Sequence, residues 1–236
     1  MIYNIKRRKF IQLFSGGCCG LILPSCSTVP ITKRRQLSIY PEGSINNSAS
    51  KAYENFKTKN KLIIKDKRLT TIKEIGRRIE FAVSSFFLKE DGTDPTRHFQ
   101  WDYILVDNDK VKNAWCMPGG KIAIYTGMLK ITQNDDALAA VMGHEIAHAV
   151  AKHSVERASQ ALTVNIGTQV ADIFLGGAIN RTRSTVGQAS GMDILKLGIF
   201  NPFGRKQETE ADYLGLIFSS LAGYDIREAA KLWGRM

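Results

Sequence analysis

The chain has 236 residues, 44% hydrophobic and 23% charged, which suits one ordinary globular domain and excludes a disordered chain. Its 33 Lys and Arg outnumber 22 Asp and Glu, for a formal charge of +11. It holds only four cysteines, two of them adjacent near the N-terminus, so a disulfide framework is excluded as the source of stability.

Residues 1–25 read as an export signal. Lys6-Arg7-Arg8-Lys9 is a basic opening, and Ile11 to Leu23 is apolar, uncharged and too short to span a bilayer. Leu23-Pro24-Ser25-Cys26 resembles a bacterial lipobox, which makes Cys26 the expected lipidation site and leaves Ser27 behind it, a pattern that resembles outer-membrane sorting. The arginine pair leaves general secretory and twin-arginine export both open. Residues 1–25 carry four of the positive charges and no negative one, so the remainder has +7. Lys33-Arg34-Arg35 and the lysines from Lys51 to Lys67 supply much of that excess, in a stretch rich in Ser, Asn and Lys without sustained periodicity. It is expected to be a solvated, flexible tether over residues 26–60, held near anionic headgroups, ahead of one domain over 61–236. Aromatic residues are sparse among these charges, so no nucleic-acid partner is expected. Cys116, the one thiol beyond Cys26, reads as a small buried hydrophobe.

Leu69, Ile72, Ile75, Ile79 and Val83, with Phe86 or Phe87, recur at helical spacing. Asp91-Gly92-Thr93-Asp94-Pro95 ends that helix. Trp101 to Val106 has strand composition, and Val111 to Trp115 is a candidate return strand. After Pro118-Gly119-Gly120, the residues Lys121 to Thr126 read as a further strand. Two readings stand for it. Gly119, Gly120, Ile122 and Ile124 form an edge strand that accepts an extended peptide by backbone hydrogen bonds, or the strand simply enters the core.

The next segment carries the chemistry. His144-Glu145-Ile146-Ala147-His148 is H-E-x-x-H within a helix expected to start near Thr132, Asn134 or Asp135 and to run to about Ser159. Positions i and i+4 share a helix face, so two imidazoles can grip one metal ion while Glu145 takes a proton from an attacking water. Small residues Ala140, Ala147 and Ala151 flank that face and allow another helix to come close. A catalytic zinc site needs a third protein ligand. Glu208 is the candidate, on a helix expected from about Arg205 to Leu221. Asp212, one turn on, would accept the free N–H of a ligating histidine. Gly215 on the same face would permit close approach, and Glu210, about 200° round from Glu208, should face solvent. His153 should point away from the metal as a structural or surface residue, a cleft role being the lesser reading, and His98 is incidental. Ala161 to Ile179 reads as a core helix, and Arg181 to Gly191 as a loop. Asp225 and Glu228 suggest a capping box opening a last helix.

These residues resemble the HtpX- and LoiP-like zinc metallopeptidases of the gluzincin group, over about Leu69 to Met236. The resemblance rests on Asn113-Ala114-Trp115 with Pro118-Gly119-Gly120, on His144 to His148 with His153, on Glu208 to Asp212, and on Ala222-Gly223-Tyr224-Asp225 with Ala229-Ala230. With the lipobox, it points to the lipoprotein branch of that group. It implies one Zn²⁺ held by His144, His148 and Glu208, with Glu145 as general base. It also implies an α+β fold, a mostly helical zincin-like core with a small sheet. Unfolded, misfolded or outer-membrane proteins are the implied substrates, and a periplasm-facing outer-membrane anchor the implied location, the inner membrane being the alternative. The family continues into a segment with a His-Pro pair and a following arginine, which this chain is expected to lack. A reading from another class is a lipoprotein chaperone that holds unfolded outer-membrane proteins without cutting them.

Overall fold

The computed structural model describes residues 26–174 and 204–235. The export signal expected over 1–25 and the loop expected over 181–191 lie outside the described residues. The elements are strands β1 (Cys26–Thr28) and β2 (Arg35–Leu37), helix α1 (Glu42–Lys59), β3 (Leu62–Ile63), α2 (Lys67–Glu90), β4 (Asp102–Val106), β5 (Ala114–Met117), β6 (Lys121–Tyr125), α3 (Thr126–Thr132), α4 (Asp135–Val150), α5 (His153–Phe174), α6 (Arg205–Leu221) and α7 (Arg227–Trp233). The fold is α+β, mostly helical.

A four-stranded sheet in the order β3-β4-β6-β5 has β4 and β6 parallel and its other pairs antiparallel. Both faces of this sheet are covered. Tyr103, Leu105, Ala114, Cys116, Ile122 and Ile124 join the main core with α2, α4 and α6. Their alternates Ile104, Val106, Met117 and Ala123 form a second cluster with Ala49 and Tyr53 of α1. That double burial is why Tyr103 to Val106 reads as an unbroken apolar run.

The second cluster corrects the expected tether. Residues 42–59 form a helix whose Ile45, Ala49 and Tyr53 are fully buried. Phe56 of the same helix packs edge-on against Trp115 and Tyr125. The stripe is one residue wide per turn among polar neighbours. Its stability comes from the sheet face it covers rather than from a strong pattern of its own. Residues 26–37 are likewise ordered as a β1–β2 hairpin, with Val29 fully buried.

The expectation about the edge also changes. β6 pairs on both sides, and Ile122 and Ile124 are fully buried, so the reading of this strand as the sheet's rim does not hold. The edges are the two-residue β3 and β5, and β5 begins three residues later than the expected return strand. Gly119 and Gly120, at φ +83° and +82°, make the tight turn between β5 and β6. The Trp101 ring lies against the turn, where any side chain on Gly120 would collide with it.

α2 starts at Asp66, whose carboxylate accepts from the Arg68 N–H at 2.7 Å. α4 starts at Asn134, whose side-chain oxygen accepts from the Ala137 N–H at 2.8 Å. α4 stops at Val150 rather than near Ser159, because Lys152 adopts a left-handed φ of +56° and the chain turns into α5. α6 spans the expected residues. Asp225 receives the Arg227 N–H ahead of α7, but Glu228 bonds Asn134 and Lys231 instead of completing the box. Among the described residues, no helix is long and apolar enough to cross a membrane.

Candidate metal centre

α4 and α6 cross where two glycines meet. A Cβ on Gly215 would lie 2.6 Å from the His144 backbone nitrogen, and one on Gly143 would lie 2.6 Å from the Gly215 carbonyl oxygen. Without side chains at these two points, the backbones approach far enough for α6 to reach the histidine face of α4. The Ser219 hydroxyl donates to the Ala139 carbonyl at 2.9 Å and ties the crossing from the next turn.

The crossing brings Glu208 to the histidines. His144 Nε2 and His148 Nε2 are 3.1 Å apart, and Glu208 places Oε2 3.5 Å from the first and Oε1 3.6 Å from the second. One ligand atom from each of the three residues falls within 4.8 Å of the others. Two imidazole nitrogens and one carboxylate are a donor set suited to Zn²⁺, with a coordination position left over for solvent or substrate. The opposite nitrogen of each ring is already engaged. His144 Nδ1 lies 2.8 Å from Asp212 Oδ1, as expected of Asp212, and His148 Nδ1 lies 2.8 Å from His153 Nδ1. The two Nε2 atoms are thus the ones turned toward the carboxylate, so the side chains present fit a divalent cation.

His153 and Glu210 depart from expectation. The break at Lys152 swings His153 back beneath His148, where it is fully buried, and its Nε2 lies 3.0 Å from Glu210 Oε2. Glu210 does not face solvent; it is 7% exposed, wedged between His153 and Arg34. Arg34 leaves the solvated basic run expected of it and bridges Glu210 and Glu156, at 2.7 Å to each. No spacing rule links residues 34, 153, 156 and 210; only the fold does. His98 sits on an exposed loop.

Glu145 is half-buried beside the triad. Burial first, and the neighbouring Glu208 charge second, push its carboxyl up to about 8, opposed by a hydrogen bond from the Cys116 backbone N–H. A divalent cation in the triad acts in the opposite direction. The Glu145 carboxyl therefore sits where it can take and return a proton near neutral pH. The contact from Cys116 places the catalytic-motif glutamate against edge strand β5. Cys116 itself is buried, as expected. A cleft of about 320 Å³ opens here, lined by Asn113 and Ala114 next to the edge, by Trp233 of α7, and by His144, Glu145 and Glu208.

Comparison with known proteins follows the same residues. The model of peptidase family M48 matches residues 73–236. The chain is 39% identical over 139 residues to mitochondrial metalloendopeptidase OMA1 of Schizosaccharomyces pombe, covering 58% of this chain and 38% of that protein. It is 28% identical over 244 residues to the OMA1 of Saccharomyces cerevisiae, covering 100% of this chain and 66% of that one. Metalloprotease YcaL of Escherichia coli is 29% identical over 100 residues, covering 42% of this chain and 37% of that protein. The chain thus spans less than two thirds of the length of each of these relatives. The match takes in both halves of the triad, and this chain belongs to peptidase family M48.

Proposed function

We propose that this chain is a zinc-dependent endopeptidase of the lipoprotein branch, anchored through Cys26 on the periplasmic face of the bacterial outer membrane and acting on unfolded or misfolded proteins. The observation that carries the reading is the convergence of His144, His148 and Glu208 from two helices, with Glu145 at the same cleft. Bound there, Zn²⁺ supplies Lewis acidity toward the scissile carbonyl and the attacking water. Glu145 accepts the proton of that water and delivers it to the leaving amine. Asp212 holds the His144 ring by its Nδ1. The substrate lies extended against β5, where backbone pairing holds a chain with little regard to sequence, as an enzyme for unfolded proteins requires. Cys26 is exposed at the start of β1, open to a lipid anchor.

The test is cleavage of unfolded casein by the wild type and by Glu145→Gln, with zinc content measured in both. The reading expects one zinc per chain in each protein and cleavage only by the wild type, down about 10²-fold or more in the variant. Equal cleavage by both sinks the assigned role of Glu145. Binding of casein without cleavage by either points instead to a chaperone.

A further inference from the structure

With both imidazoles neutral, the described hydrogen bonds behind His148 fit one assignment of protons. Glu210 receives Arg34 Nε at 2.7 Å and the Thr32 hydroxyl, so it is a carboxylate and only accepts. His153 Nε2, 3.0 Å from it, therefore donates. A neutral imidazole that donates from Nε2 accepts at Nδ1, so His148 Nδ1, 2.8 Å away, donates in turn. That leaves the lone pair of His148 on Nε2, the atom facing Glu208 and His144. The orientation of a candidate metal ligand is thus set by a carboxylate two hydrogen bonds away.

Arg34 holds that carboxylate in place. Its Nε serves Glu210, while its other two nitrogens grip Glu156 at 2.7 and 2.9 Å. Glu156 also accepts from Gln207 of α6 at 2.7 Å. One planar guanidinium therefore ties the start of α5 to the start of α6, a fork that a lysine's point charge cannot reproduce. The loop that delivers Arg34 is itself built at a cost. Ile31 and Lys33 both take left-handed φ values, +63° and +54°, which non-glycine residues adopt only when their surroundings impose them. Val29, fully buried, and its paired hydrogen bonds with Lys33 and Arg34 anchor the loop.

We propose that Arg34 is a positioning residue for the metal centre, and that docking of the N-terminal β1–β2 hairpin, outside residues 73–236, sets metal affinity through Glu210, His153 and His148. This rests on the triad being a zinc site.

The experiment uses the full chain with Arg34→Ala, Arg34→Lys and Glu210→Ala, and Lys33→Ala as a control. Lys33 lies on the same loop and pairs only with exposed Asp91 at 3.7 Å, among the ion pairs described. Zn²⁺ affinity is read by chelator competition, and the His148 tautomer by ¹⁵N NMR of the metal-free protein. Affinity should fall about tenfold or more in Arg34→Ala and Glu210→Ala, less in Arg34→Lys, and stay unchanged in Lys33→Ala. The Nδ1–H form of His148 should give way to a mixture of tautomers in the first two variants. Unchanged zinc affinity and an unchanged tautomer in both Arg34 variants overturn the proposal, whatever their melting temperatures. Should Glu210→Ala fail to fold, the two Arg34 variants decide alone. A wild type that binds no zinc sinks the triad reading instead, a result separable from this one.

Discussion

Replacing Gly215 by alanine tests the helix crossing on which the site depends. The added Cβ would lie 2.6 Å from the His144 nitrogen, 2.7 Å from its Cα and 2.8 Å from the Gly143 carbonyl carbon, all backbone atoms with no rotamer to escape into. Ordinary contact begins at 3.4 Å, so the helices must part by about 0.8 Å at this point. Two opposed terms set the stability change. Alanine in place of a mid-helix glycine contributes about 1 kcal/mol of helix propensity, while overpacking a tight contact costs about 1–3 kcal/mol. The net is a loss of up to about 2 kcal/mol in urea denaturation. The larger effect falls on the site. Glu208 lies two turns from Gly215 on α6, and a shift approaching 1 Å in a catalytic constellation costs about 10²-fold in rate. Gly43 is the comparison: it lies in α1 with nothing within 4 Å of an added Cβ, so Gly43→Ala should leave zinc binding intact and stabilise by up to about 0.5 kcal/mol. If Gly215→Ala matches the wild type in stability and zinc affinity, the close crossing is wrong.

Acid should destabilise the metal-free protein in two stages. Burial, the largest influence, lowers the His153 pKa from 6.5 despite the opposing pull of Glu210. Its contribution is therefore complete above pH 6.5 and erodes as pH falls below that value. Burial raises the Glu156 and Glu210 carboxyls, but hydrogen bonds from Arg34 with Gln207 or Thr32 outweigh it and hold both below 4.5, so their contribution is present above that value and is lost as pH falls through their lowered folded pKa. Because the Glu145 carboxyl, pushed up to about 8, contributes in the opposite sense over the same range, the measurement is made in Glu145→Gln; its urea midpoints at pH 7, 5.5 and 4 should fall at each step, and a flat profile refutes the assignment. Substrate pairing along β5 predicts that an unfolded peptide bound to Glu145→Gln slows amide hydrogen exchange in residues 113–117 more than in 121–125; protection confined to the latter places the substrate elsewhere.

The residues themselves carried the local chemistry. H-E-x-x-H on a helix places two imidazoles together by helical geometry alone, and the spacing of Glu208, Asp212 and Gly215 puts carboxylate, histidine partner and close-approach point on one face. Those relations are short-range, and they appear in the structure as read. Strand identity for β4, β5 and β6 was legible too, because apart from Asp102 and Lys121 at their starts these strands are apolar; which strands form the edges was not, since pairing order depends on contacts between distant segments. Helix α1 escaped notice because a narrow stripe of Ile45, Ala49 and Tyr53 is stable only with a sheet face to cover. Glu210 looked solvent-facing because helical phase says what a residue points away from and not what meets it there. A hairpin loop supplies Arg34, and a left-handed Lys152 turns His153 inward, so four charged or titratable side chains separated by up to 176 positions share one buried network. Local periodicity therefore decided which candidate ligands share a helix face, while the crossing of α4 and α6 brought those faces together and long-range packing of the N-terminal hairpin against α5 and α6 decided what holds them.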